Sequence, residues 1–266
     1  MASTTGVGAG GGQVVRMLSL NVGGINAAVK RTKIFTHIQN LKADVMFLQE
    51  THLLNTDHQR LTRPWIGQIF HSRFNQKTRG TAILIRKNVL FAPRDVIADP
   101  NGRYTIVSGT LYQKPVILAS VYAPNWDDHT FMKNFLSSLP NINSHMLIMG
   151  GDMNCVIDPM LDRSSHKNVA PSRMARTLSS FMEQNGYIDP WRFLNHSTKQ
   201  YSFLSYVHRT YSRIDYFLID KTLTPYIVSA EYSPIAVSDH SSVILDIRFE
   251  LKHKFQIMAP RPPIAL

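Results

Sequence analysis

His145-Met-Leu-Ile-Met-Gly-Gly-Asp-Met-Asn154 is the stretch that decides how the chain is read. Met146 to Met149 is an unbroken apolar run with no room for a long helix, and two glycines close it. A short apolar run ended by glycine predicts a buried strand that delivers its last residues to an exposed edge. Asp152 and Asn154 are two apart, so on extended backbone their side chains point the same way. One is a carboxylate, the other an amide that can both donate and accept. Such a pair can hold and polarise a water or a phosphate oxygen. Taken alone, Gly-Asp-x-Asn is also ordinary turn chemistry, so the rest of the chain has to decide.

Working outward, the same pattern recurs. Asn21 follows Met-Leu-Ser-Leu, Glu50 follows Val-Met-Phe-Leu-Gln, and Tyr122 follows Val-Ile-Leu-Ala-Ser-Val. These polar groups gather at one sheet edge if their strands run the same way, as sites do at the carboxyl ends of open parallel sheets. Asp215 and the pair Asp239-His240 stand at the start of their apolar runs. They reach that edge only if their strands run antiparallel to the others. Carboxylates and amides without a cysteine cluster suit a hard cation, Mg²⁺ or Mn²⁺. A histidine hydrogen-bonded to a carboxylate is held in one tautomer and binds a phosphate oxygen when charged. Phosphodiester hydrolysis needs these parts: a metal Lewis acid, an oriented water and donors for the pentacoordinate charge. Singly, each residue has a plainer reading. Glu50 and Asp239 could be surface acids, His240 a capping residue and Tyr122 core.

The bulk properties set the frame. A chain of 266 residues with 44% apolar content makes one large domain or two small ones. No apolar run approaches the roughly 20 residues of a membrane helix. The first residues are Gly, Ala, Ser and Thr and lack the apolar centre of a secretory leader, so no membrane is expected as a partner. The single Cys155 excludes an internal disulfide, fits a reducing compartment and reads as a small hydrophobe. Lys and Arg total 29 against 18 acids, a net charge of +11. That favours a polyanion, nucleic acid before an acidic membrane, with solubility alone as the alternative.

Residues 1–13 read as a disordered Gly-rich tail and 251–266 as a basic, proline-rich linker. Between them, 14–250 reads as a single α/β domain with mixed sheets. Strands are predicted over 14–20, 44–49, 67–71, 80–85, 103–112, 115–121, 213–220 and 241–249. Helices are predicted over 27–41 and 128–139, and from Ser172 to Gly186. Residues 52–66 read as irregular or weakly helical.

Six stretches, in order, resemble the endonuclease/exonuclease/phosphatase superfamily: Leu20-Asn-Val-Gly-Gly24, Leu48-Gln-Glu-Thr-His52, Val121-Tyr-Ala-Pro-Asn125, Gly151-Asp-Met-Asn154, Arg213-Ile-Asp-Tyr216 and Ser238-Asp-His-Ser241. In the DNase I, sphingomyelinase and inositol phosphatase branches a histidine stands near the position of Tyr122. Tyr-Ala-Pro-Asn is similar to the exonuclease III and abasic-site endonuclease branch. Gln-Glu-Thr-His-Leu, Leu161-Asp-Arg-Ser164 and the segment from Tyr201 to Asp215 look like the endonuclease domains of LINE-type retrotransposons.

The resemblance implies a four-layered α/β sandwich of two mixed sheets flanked by helices, DNase I-like, with Mg²⁺ at the sheet edge. It implies that Glu50 holds the metal, helped by Asn21 and Asp239. Asp152 would orient or deprotonate water beside Asn154, His240 steadied by Asp215 would stabilise the phosphate, and Tyr122 would contact the phosphoryl group. Asn125, Ser202 and Ser238 would meet the DNA backbone. The family's threonine in the Tyr-Ser-Phe stretch is Ser202 here, which keeps the hydroxyl. Arg163, Arg209 and Arg213 are added as candidate phosphate contacts because they are basic and close to the site in sequence. The resemblance further implies nicking of double-stranded DNA in the nucleus, a 3′-hydroxyl for priming, and a reverse transcriptase domain and element RNA as partners. An abasic-site repair enzyme and a degenerate copy that only binds DNA remain open. Finally, 201–206 and 210 onward are expected to pair as a hairpin with 207–209 at its tip.

Overall fold

In the computed structural model, which describes residues 12–165, 170–207 and 209–250, the stretch ending at Asp152 is a strand, β8 (Met146–Asp152). It lies parallel to β7 (Lys114–Tyr122), which sets Tyr122 level with Asp152. On its other side it runs antiparallel to β12 (Asp215–Asp220), with Asp215 opposite Asp152. Both glycines of the stretch are required by close approach. A Cβ on Gly150 would lie 2.7 Å from the Phe217 ring, and one on Gly151 would lie 2.1 Å from the Val121 carbonyl oxygen.

The sheet that contains β8 also holds β5 (Phe91–Ala98), β6 (Tyr104–Leu111) and β9 (Tyr187–Ile188), in the order β5-β6-β7-β8-β12-β9. A second six-stranded sheet is built from β1 (Gly12–Asn21), β2 (Val45–Gln49), β3 (Ile66–Ser72), β4 (Thr81–Arg86), β13 (Ile227–Tyr232) and β14 (Val243–Glu250). Its order is β13-β14-β1-β2-β4-β3. β1 and β2 are parallel, whereas β14 is antiparallel to β1. The condition for Asp215 and His240 to join the other polar groups is therefore met in both sheets.

The sheets face each other across a core that includes Phe47, Ile83, Leu118, Ile148, Phe217 and Leu245. Helix α1 (Ala28–Asn40) presses Ile34, Phe35 and Ile38 onto the outer face of the β1–β2 sheet. Helices α2 (His129–Ser137) and α3 (Arg173–Asn185) cover the other sheet with Met132, Phe135, Met174 and Leu178. Three cores thus separate four layers, the α/β sandwich expected. Asp128 caps α2 by accepting from the Phe131 N–H, and Ser172 caps α3 by accepting from that of Ala175. No helix among the described residues is long and apolar enough to cross a membrane.

Some elements differ from expectation. β1 begins at Gly12, inside the expected tail, because Gly12 and Gln13 pair with Glu250 and Phe249. β5, β13 and the short helix α4 (Pro190–Leu194) were not predicted. β5 and β13 lie at sheet edges, so most of β5 is exposed and neither carries a continuous apolar run. The two short strands β10 (Phe203–Ser205) and β11 (Thr210–Ser212) form the expected hairpin. Residues 1–11 and the expected linker 251–266 lie outside the described residues.

The inner face is graded. Side chains alternate across a strand, so Val15, Met17, Ser19 and Asn21 of β1 point into the seam, as do Val45, Phe47 and Gln49 of β2. Facing them are Leu118, Ser120 and Tyr122 of β7 and Ile148 and Asp152 of β8. The seam is apolar at one end and polar at the other. Gln49 Nε2 bridges the sheets by donating to Ser19 Oγ at 3.3 Å and Ser120 Oγ at 3.2 Å. A buried hydrogen bond of 2.8 Å joins Thr81 and Thr105 across the same seam.

Candidate active site

The polar end of the seam opens onto the sheet edge, and Asn21 ties it together. Its Nδ2 donates to Glu50 Oε1 at 2.9 Å and to Asp152 Oδ2 at 3.0 Å, one acid from each sheet. Its Oδ1 accepts from the Gly23 N–H at 3.0 Å. The turn thus engages one lone pair of that oxygen, while the N–H groups face the acids. Asn21 positions the two carboxylates.

Glu50 follows β2 with φ +52°, a conformation sparsely populated outside glycine. Its side chain is 24% exposed, and Oε2 lies 3.1 Å from His52 Nε2. Burial alone would raise its pKa. Hydrogen bonds from His52, Asn21 and Tyr122 outweigh burial and hold the carboxyl at about 2. Burial, with Glu50 beside it, pushes the Tyr122 phenol up, so it stays protonated.

Asp152 is buried and accepts from the Asn154 N–H at 2.9 Å. Asn154 turns the chain at φ +47° and donates Nδ2 to the Ala123 carbonyl at 2.9 Å. On β12, Asp215 takes the Nδ1–H of His240 at 2.9 and 3.1 Å through its two oxygens. That bond aims Nε2 at Asp152, 3.9 Å from Oδ2 and too far for a hydrogen bond. The Phe203 ring lies over the imidazole, with centroids 4.7 Å apart. Burial and then the Asp215 charge raise Asp152 above the usual carboxylate range. Burial would lower His240, but Asp215 and Asp152 outweigh it and keep the ring charged.

Ligand atoms of Asp152, Asp215 and His240 lie within 4.8 Å of one another. An imidazolium is no ligand, and the Asp215–His240 pair is already closed by hydrogen bonds. Glu50 suits a hard cation better: it is ionised, oxygen-donating and partly open to solvent.

The remaining expected residues divide. Asn125 and Arg163 line a groove of about 670 Å³ with Asn154 and Phe203. Arg209 is exposed near the hairpin tip. Asp239 is also exposed and accepts from Ser238 Oγ at 3.1 Å; both lie beside Gly23. Ser202 and Arg213 are corrections. Ser202 is fully buried, and its Oγ accepts from the Ile214 and Asp215 N–H groups at 3.0 and 3.1 Å. Arg213 is 1% exposed, with Nε and Nη2 each 2.8 Å from Asp162 and Nη1 on Asp189. Neither side chain lies at the surface; both hold the backbone that carries Asp215. Three residues were missed. His52 stands in the Glu-Thr-His stretch, and Trp126 directly follows Asn125, so adjacency was a signal for both. Arg103, which lies under the Tyr122 ring at 4.9 Å, had none.

The model of the Endonuclease/Exonuclease/phosphatase family matches residues 18–240. An RNA-directed DNA polymerase from mobile element jockey of Drosophila funebris is 24% identical over 133 residues, which is 49% of this chain and 14% of that protein. The chain thus spans only a small part of that relative's length. An exodeoxyribonuclease of Bacillus subtilis is 24% identical over 264 residues, covering 88% of this chain and 99% of that one. Among solved structures, AP endonuclease LMAP from Leishmania major superposes with a TM-score of 0.74 at 18% identity over 88% of each chain. The catalytic domain of Xenopus laevis APE2 does so with 0.74 at 16% identity, over 90% of this chain and 94% of that one. These structural likenesses establish the shared fold.

Proposed function

The chain belongs to the endonuclease/exonuclease/phosphatase family, and from that premise we propose that it is a metal-dependent DNA endonuclease. It nicks one strand by phosphodiester hydrolysis and leaves a 3′-hydroxyl. The observation that carries this reading is the opposed pair of Asp152 and His240, unbonded at 3.9 Å, with His240 fixed from behind by Asp215. A carboxylate whose pKa is raised toward neutrality is suited to take a proton from water. An imidazolium held by Nδ1 offers Nε2–H to a phosphate oxygen as charge builds. The Tyr122 phenol and the Asn154 amide flank the same space.

Glu50 would hold Mg²⁺ or Mn²⁺, with Asp239 at the rim. The ion supplies Lewis-acid charge to the phosphate when bound. Asn125, Ser238, Arg163 and Arg209 would contact the DNA backbone, which suits a net charge of +11. The likeness to the jockey polymerase supports a retrotransposon setting. In that setting the 3′-hydroxyl primes a reverse transcriptase, with element RNA as template, on chromosomal DNA in the nucleus. The likeness to AP endonucleases favours a second reading, abasic-site repair. A binding-only copy sits poorly with an intact Asp152–His240–Asp215 arrangement.

The deciding experiment compares supercoiled plasmid with an abasic oligonucleotide duplex, each with Mg²⁺ and with EDTA. Mg²⁺-dependent nicking of intact plasmid is expected. Cleavage confined to the abasic duplex would establish the repair reading, and cleavage of neither would remove both.

A further inference from the structure

Trp126 is a large apolar side chain left 55% exposed on the wall of the groove. Its loop is firmly held. Asp128 caps α2, accepting from the Phe131 N–H at 2.9 Å, and its own N–H donates to the Trp126 carbonyl at 2.8 Å. Asp127 accepts from the Arg173 and Met174 N–H groups, at 2.9 and 2.7 Å, at the start of α3. Upstream, the Ala123 N–H donates to the Asp152 carbonyl at 2.9 Å. The loop that bears the indole is therefore fixed to two helices and to the strand that carries Asp152.

Behind it lies Arg103, whose guanidinium is 5.6 Å from the indole ring and 4.9 Å from the ring of Tyr122. Arg103 is itself buried and donates to the Ala123 carbonyl at 3.3 Å. One cation thus braces both an active-site phenol and an exposed indole. A Trp serving only the core would be turned inward. This one is more than half exposed on an anchored loop and placed beside Asn125 and Asn154, on the groove that adjoins the site.

In paired duplex the base faces are covered by stacking, so a ring on the groove wall meets one only when a nucleotide leaves the stack. Resting on the DNA endonuclease reading, we infer that Trp126 is the stacking platform for a nucleotide unstacked beside the scissile phosphate. A ring reads the π-face of any base and so is blind to base identity. It selects for ease of unstacking, which is greatest at unpaired nucleotides and at flexible pyrimidine–purine steps.

The test uses two duplexes of one sequence, one fully paired and one with a single unpaired nucleotide at the cut position. The wild-type protein should show the lower KM on the second. Trp126→Ala and Trp126→Leu should raise that KM about five- to hundredfold, the range for one lost stacked base, with little change on the paired duplex. Trp126→Phe should retain the preference. An equal effect on both duplexes, or none on either, overturns the proposal. A separate reading places 2-aminopurine at the unpaired position and binds it to the wild-type protein in EDTA. Fluorescence quenching that Trp126→Leu loses supports stacking, and its absence in the wild type refutes it. Should the wild-type protein quench but nick neither duplex, the nuclease reading fails while the stacking platform stands.

Discussion

At the scale of single residues, Asp152 and His240 are expected to govern rate. Replacing either by Ala should remove about two to four decades of plasmid nicking, the range for a lost proton-transfer or charge-stabilising group. Nicking at the wild-type rate in Asp152→Ala would refute the assigned role. His240 also makes stability depend on pH. Its folded pKa is raised to about 10 from 6.5. The stability it contributes is therefore fully present below 6.5 and lost as pH rises through about 10. The advantage of the wild type over His240→Gln in urea denaturation should accordingly shrink between neutral and alkaline pH; a constant difference would mean that the ring is not held charged. Most of these residues were legible because they stand where apolar runs stop. Ser202 came from a motif and Arg213 from its charge and its place beside the site in sequence, and neither signal records whether a side chain faces substrate or core.

At the scale of elements, Arg213 joins three segments. It binds Asp162 in the loop before α3 and Asp189 at the start of α4, while its rings of contact are Trp191 and Tyr216. Arg213→Ala leaves two buried acids short of a partner and should destabilise the protein by about 3–5 kcal/mol. Chemical denaturation measures this, and a stable variant with weakened DNA binding would restore the original surface role. The β10–β11 hairpin makes a different prediction. Tyr206 and Val207 are 71% and 87% exposed at its tip, and its base carries Phe203 against His240. Exchanging 206–210 for a short Gly/Ser turn should move the nick positions on a plasmid more than it slows nicking. An unchanged map at an unchanged rate would make the tip irrelevant. The hairpin was legible from its aromatic and turn residues, whereas edge strands β5 and β13 were not, since half-solvated strands need no apolar run.

At the scale of the whole molecule, charge and topology matter most. With a net charge of +11, DNA affinity should fall linearly with salt on logarithmic axes as phosphate contacts release counterions. A flat plot would assign the charge to solubility. The mixed sheets were legible in outline, because opposed strand directions were the condition for one shared site; the four layers came with the family resemblance. The pairing order was not, since it depends on partners far apart in sequence. That order has a consequence for synthesis. β14 inserts between β1 and β13, and the residue that leads into it is His240. A chain emerging from the ribosome therefore carries β1 unpaired on that edge until almost the whole domain is made. The last of the proposed catalytic groups, His240, arrives with the strand that closes the sheet. On the endonuclease reading, this domain cuts only once the segment that carries His240 has been made and folded against β1.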